Sequence, residues 1–213
     1  MVLDIVVKNS NGEIVYRIIT KTSLTLFLLV FYLVNNKEIL KIKYYAVLIA
    51  LGLFVIGDLF FIFYENPIFF ALGLLFFILA KTAYAYRFAN NQDFKFKQLL
   101  PSLLILFSYM TVIMFLIQDN LGYYFLPALI YLFTSLIVCQ FAYLRINAVQ
   151  KRSFVLVFIG VFFSILSDSI SVLQAFYDEN FGYHEITIML FYGISQFFII
   201  LGLVYESNPK LIA

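Results

Sequence analysis

Charge is scarce in this chain: 12% of its 213 residues are Asp, Glu, Lys or Arg, while 64% are hydrophobic. Soluble domains carry about 25% charged and about 45–50% apolar residues. A globule this small could not hide so much apolar surface, because much of any fold stays in contact with solvent. A soluble enzyme and a disordered chain are therefore excluded. Cysteine is limited to Cys139, which excludes an internal disulfide, a disulfide scaffold and a thiolate metal site. In its apolar stretch it reads as a buried, inert thiol. Histidine is limited to His184, so neither a multi-histidine metal site nor Ser-His-Asp catalysis is available. No G-x-S-x-G, P-loop or dinucleotide fingerprint occurs, and no metal or other cofactor is expected. Fourteen basic against twelve acidic residues give +2, without the basic clustering that a nucleic-acid partner requires. Tryptophan is absent, and the 20% of aromatic residues are Phe and Tyr, which by itself names no function.

What the chain has instead is long apolar runs. About 20 mostly apolar residues cross a ~30 Å hydrocarbon core as a helix. Seven stretches qualify: 18–34, 44–64, 67–86, 99–117, 126–144, 154–176 and 186–205. Lys21 interrupts the start of the first, which is the weakest. Pro67 follows Asn66, a good N-cap, and Pro101 and Pro127 are read in first turns, where no intrahelical N–H is lost. The runs do not alternate as membrane β-strands would. The fold class is therefore an all-α, polytopic bundle of seven transmembrane spans.

Residues 1–17 carry Asp4, Lys8, Glu13 and Arg17 where a signal peptide needs an apolar core, so the first span is expected to direct insertion. Asn9-Ser10-Asn11-Gly12 between Ile5-Val6-Val7 and Ile14-Val15-Tyr16 reads as a small surface hairpin. The membrane domain is placed at 18–206, with a short tail at 207–213. Ten basic residues (Lys37, Lys41, Lys43, Arg87, Lys95, Lys97, Arg145, Lys151, Arg152 and Lys210) flank one side of the spans, against Lys8, Arg17 and Lys21 on the other. This bias puts the C-terminus in the cytoplasm and the N-terminus outside. The expected location is a bacterial inner (cytoplasmic) membrane.

Ionisable residues inside spans are costly and are functional candidates by default. Three stand out: Asp58, Lys81 and Asp168. Lys81 lies about six residues from the cytoplasmic end of its span, where snorkelling to the headgroups is the competing explanation. Asp58 lies roughly 9 Å and Asp168 roughly 12 Å from their outer helix ends at 1.5 Å per residue, too deep for an aspartate to snorkel. A structural pairing or capping role is the alternative for both. Two carboxyls facing one low-dielectric cavity do not both ionise easily, which leaves an acid beside a carboxylate. That arrangement suits acid–base hydrolysis, and a cavity open to the bilayer suits a lipid. Gly57 permits close helix approach at Asp58. Ser164, Ser167, Ser169 and Ser171 surround Asp168, and Tyr192 and Gln196 share one face of the last span. Such Ser and Gln side chains also serve simply to bond neighbouring helices. A retinal photoreceptor is excluded, since the last span has no lysine and Lys81 lies in the wrong helix.

These residues fall in a pattern that resembles the YhhN-like lysoplasmalogenase family. The matching features are Gly57-Asp58-Leu59-Phe60, then Phe70-x-x-Gly73-x-x-x-Phe77-x-x-x-Lys81-x-x-Tyr84. Ala148 and Ser153 follow, leading into Gly160-x-x-Phe163-x-x-x-Ser167-Asp168 and Tyr192-x-x-x-Gln196. The resemblance covers roughly residues 18–206. Three departures stand out: Lys81 replaces a family histidine, Lys21-Thr22 replaces a Lys-Pro pair, and the polar segment 1–17 replaces a leading span.

The resemblance implies hydrolysis of the vinyl-ether bond of lysoplasmalogens to a fatty aldehyde and a glycerophospho-alcohol. It makes Asp58 and Asp168 the catalytic pair, one protonated and one ionised, in either order. It places Lys21, Lys81, Tyr84, Ser167, Tyr192 and Gln196 around the substrate, in an amphiphile-sized cavity. The expected partners are a membrane lipid or lysophospholipid and the bilayer itself, with the oligomeric state left open. The reading from another class is a non-catalytic lipid-binding or transport protein of the same fold.

Overall fold

The computed structural model describes residues 14–90, 96–178 and 184–208. They form seven α-helices and no strand: α1 (Ile14–Asn35), α2 (Lys41–Phe60), α3 (Pro67–Phe88), α4 (Phe96–Ile117), α5 (Phe125–Leu144), α6 (Lys151–Phe176) and α7 (His184–Ser207). Helices α2 to α7 are long and apolar enough to cross a membrane, whereas the apolar part of α1 is the shorter Lys21–Asn35. Local sequence accounts for several helix ends. Asn66 caps α3, its Oδ1 accepting the Ile68 N–H at 2.9 Å, with Pro67 at the first helical position.

Two local expectations are corrected. Ile14, Val15 and Tyr16 begin α1 rather than forming the second strand of a hairpin; the rest of the expected hairpin, residues 1–13, lies outside the described residues, as does the tail beyond 208. Pro101 sits inside α4, not in its first turn. The helix begins three residues before the apolar run at Leu99, and membrane helices tolerate an interior proline when neighbours satisfy the freed carbonyl.

Six helices close a ring in the order α1, α2, α3, α5, α6, α7, with α7 packing back on α1. Helix α4 stands outside it, against α5 and α6. Only 11% of its span is buried, compared with 39–50% for the other five long spans. The outward faces carry large apolar side chains such as Phe27, Val34, Ile105 and Phe115, which suit lipid rather than water. Since lipid is as apolar as leucine, small residues and close packing must hold such helices together. The contact between α6 and α7 is the most extensive in the bundle, and Gly160 and Gly202 lie in it. A Cβ at Gly160 would sit 2.8 Å from the Ile199 backbone nitrogen and the Ser195 carbonyl, neither of which can swing aside. Gly160→Ala should therefore cost about 1–3 kcal/mol as an overpacked site. Chemical unfolding in detergent micelles measures it, and a wild-type midpoint would show that the helices separate freely.

Polar side chains pin the end of the bundle where α3 and α5 terminate. Arg87 donates to Glu38 at 2.7 Å and pairs with Glu206 at 3.3 Å; Arg145 pairs with the same Glu206 at 2.5 Å and donates to Ser153 at 3.2 Å. Both arginines are almost completely buried, and Arg145 also lies 5.1 Å over the Phe88 ring. The charge bias treats these two as flanking residues that orient the chain. The structure makes them ties between the α1–α2 connection, α3, α5, α6 and α7. At the opposite end, the rings of Phe70, Tyr124 and Phe176 pack together, and Asn120 donates to the Phe176 carbonyl at 2.8 Å.

Candidate active site

All six ring helices place a polar side chain inside the ring. Asp58 comes from α2, Lys81 and Tyr84 from α3, Tyr131 and Ser135 from α5, Asp168 from α6, Tyr192, Ser195 and Gln196 from α7, and Thr25 from α1. All are buried except the half-buried Tyr192, so each needs a partner to offset its desolvation. Most of the partners lie across the ring rather than on the same helix.

Lys81 reaches past α5 to α6. Its Nζ donates to Asp168 Oδ2 at 2.5 Å and to Ser135 Oγ at 2.8 Å, and lies 4.0 Å over the Tyr131 ring. Tyr131 donates its own hydroxyl to Asp168 Oδ1 at 2.5 Å. Both oxygens of Asp168 are therefore engaged, one by an ammonium and one by a phenol. The snorkelling explanation for Lys81 is overturned. In a helix the Cα–Cβ bond tilts toward the N-terminus, and the N-terminal end of α3 is the end nearer the aspartates. The long stem thus carries the ammonium toward them, not toward the headgroups.

The second aspartate has a different environment. Tyr192 donates to Asp58 Oδ2 at 3.1 Å, joining α7 to α2. Tyr84 donates to Gln196 Oε1 at 2.8 Å, joining α3 to α7. The rings of Phe54 and Phe77 wall this cluster, with Phe54 6.0 Å and Phe77 5.9 Å from the Tyr192 ring centroid. A Cβ on Gly57 would meet the Phe77 ring at 2.5 Å, so the glycine lets α2 approach α3 beside Asp58. The two clusters adjoin through α3, where Lys81 and Tyr84 are one turn apart.

The remaining sequence candidates fall elsewhere. Ser167 donates to the Ile188 carbonyl at 3.0 Å, a tie between α6 and α7. Lys21 lies on α1 with its Nζ 5.9 Å from the Phe61 ring centroid. Ser169 bonds the Tyr109 hydroxyl of α4, which fastens the outer helix next to Asp168. Tyr131 and Ser135 were not singled out from sequence. Their spacing of four on one helix face, the same rule that pairs Tyr192 with Gln196, is the signal that finds them.

Asp58, Lys81 and Asp168 are buried among these side chains. Two cavities open elsewhere: one of about 120 Å³ between α4 and α5, lined by Leu103, Phe107, Phe133 and Gln140 among others, and one of about 360 Å³ beside Lys41, Lys43 and Tyr86. Neither is lined by Asp58, Lys81 or Asp168.

A multi-pass helical membrane protein whose ring encloses two carboxyls and an amine is the class that fold and site define. The YhhN family model matches residues 16–203, and the chain belongs to that family, the lysoplasmalogenase family. No curated protein and no solved structure matches the chain.

Proposed function

We propose that the protein is a lysoplasmalogenase-like membrane hydrolase that cleaves the vinyl-ether bond of a lysophospholipid by carboxylate acid–base catalysis. The observation that carries this reading is a pair of buried aspartates, one of which, Asp168, is held between a cation and a phenol. Asp168 accepts a charge-assisted bond from Lys81 and a second from Tyr131, the bonding pattern of an anion. These bonds give Asp168 the ionised role, and the acid role is assigned to the other carboxyl of the pair, Asp58.

A vinyl ether is hydrolysed by protonation of its β-carbon. Asp58 supplies that proton, and the positive charge develops on the ether oxygen and adjacent carbon. Asp168, held as a carboxylate, stabilises the oxocarbenium ion electrostatically. Water adds to the cation and returns a proton to Asp58, and the hemiacetal then collapses to aldehyde and glycerophospho-alcohol. Phe54 and Phe77 keep bulk water away from Tyr192 and Asp58, which strengthens each electrostatic interaction there.

Purified protein in micelles, given a 1-alkenyl lysophospholipid, should release one aldehyde per lipid consumed. The burial of the aspartates, with the two described cavities lying elsewhere, is the observation that favours the other reading, a lipid-binding protein without chemistry. Tight lysolipid binding with no aldehyde from any alkenyl lysolipid would establish that reading and overturn the hydrolase.

A further inference from the structure

The hydrolase reading uses Lys81 only as the cation opposite Asp168 and leaves the nucleophilic chemistry of its primary amine unused. Lys81 is the only fully buried lysine among the described residues, and its setting differs from that of a lysine that merely neutralises charge. The nitrogen is in contact with a proton acceptor, Asp168 Oδ2 at 2.5 Å, with a small hydroxyl, Ser135 Oγ at 2.8 Å, and with the face of an aromatic ring at 4.0 Å. Water is excluded, since Lys81 is 3% exposed. A desolvated lysine with an adjacent carboxyl is the arrangement in which an amine condenses with a carbonyl compound.

We infer that Lys81 is a carbonyl-binding site that takes a long-chain aliphatic aldehyde as a reversible imine. This rests on the hydrolase reading only for the source of the aldehyde, which that reaction would release beside Asp168. The step balances without any co-reactant. Lys81 passes a proton to Asp168 along their hydrogen bond, and the free nitrogen lone pair attacks the aldehyde carbon. The carbonyl π pair becomes an alkoxide, which takes a proton from the newly bonded, positively charged nitrogen to give a neutral carbinolamine while Asp168 keeps its own proton. Asp168 then protonates the departing hydroxyl, the C–O bond breaks, and one water leaves. The product is a protonated imine, C=N–H⁺, whose counterion is the Asp168 carboxylate. One ion pair replaces another, so the buried charge count is unchanged and no uncompensated charge is left in the ring. Tyr131 and Ser135 keep their places beside the same nitrogen and carboxylate. The aldehyde chain extends among apolar side chains rather than into water, which disfavours hydrolysis of the imine. Lys81 thereby becomes a site of product retention, and an excess of aldehyde slows the enzyme in a time-dependent way.

The test uses the whole purified protein in micelles with ready-made hexadecanal, followed by borohydride reduction and peptide mass mapping. Reduction converts the imine to a stable secondary amine. The expected result is one hexadecyl group on Lys81, formed at lower aldehyde concentration than on the exposed lysines and competed by hexadecanol. Lys81→Arg keeps a cation opposite Asp168 but cannot form an imine, and should lose this label while surface lysines label as before. Labelling spread evenly over the lysines, or no label on Lys81 in correctly folded wild-type protein, would overturn the inference. Supplying the aldehyde directly separates the two readings. Aldehyde release from an alkenyl lysolipid without an adduct sinks this inference alone. An adduct without any release sinks the hydrolase and leaves the carbonyl site standing.

Discussion

Asp58→Asn should lower aldehyde release from an alkenyl lysophospholipid by about 100- to 10,000-fold, the usual contribution of a positioned general acid. The amide matches the carboxyl in shape, and its carbonyl oxygen still accepts the Tyr192 hydroxyl, a bond of 3.1 Å in the wild type. The fold should therefore survive while the transferable proton is lost. Initial rates, read beside lysolipid binding on the same preparation, separate lost chemistry from lost protein. Activity of Asp58→Asn within about tenfold of wild type would remove Asp58 from the acid role, since a true general acid contributes more than that. If Asp168→Asn then abolished turnover, the two aspartates would exchange roles. If neither substitution mattered, the carboxylate mechanism would fail altogether.

The second large effect concerns stability rather than rate. Lys81→Met removes the cation opposite Asp168 and leaves a buried carboxyl that has lost its charged partner. Breaking a buried pair from one side costs about 3–5 kcal/mol, whereas replacing both members with apolar side chains is often nearly neutral. Lys81→Met should thus lower the unfolding midpoint in micelles sharply. The double variant Lys81→Met with Asp168→Leu should recover most of the loss, short of what the Tyr131 and Ser135 hydroxyls forfeit. A Lys81→Met midpoint equal to wild type would mean that the ammonium is not paired inside the ring. The double variant is inactive on the proposed mechanism, so its recovery is read only by unfolding.

Much of the architecture was legible in the sequence because membrane helices obey a strong local constraint. Each span must satisfy its own backbone hydrogen bonds away from water, so hydropathy alone delimits the helices. Six of the long helices agree with expected spans to within a few residues. The first is the exception, where a polar stretch joins α1 and blurs both the span and the expected hairpin. Gly57 and the Tyr192–Gln196 face were likewise readable, as each depends on the period of a single helix. Lys81 was harder to place. Counting residues from the helix end gave the depth of its backbone, but the direction of its stem puts the ammonium at Asp168. Arg87 and Arg145 were counted as orienting charges, and nothing along the chain pairs them with Glu206, which lies 119 and 61 positions away.

Scarcity of charge by itself determined that this protein lives in a bilayer as a helical bundle, since apolar surface on that scale has no aqueous solution. It also reduced the functional candidates to three intramembrane ionisable residues. Only the tertiary structure decided how they are used. It placed α4 outside the ring, set Lys81 and Tyr131 on Asp168, and set Tyr192 on Asp58. The physical reason is that helix formation is local, whereas partners for buried charge are chosen across the bundle. Desolvation makes an unpaired charge too costly to keep, yet no single helix carries both members of the pair.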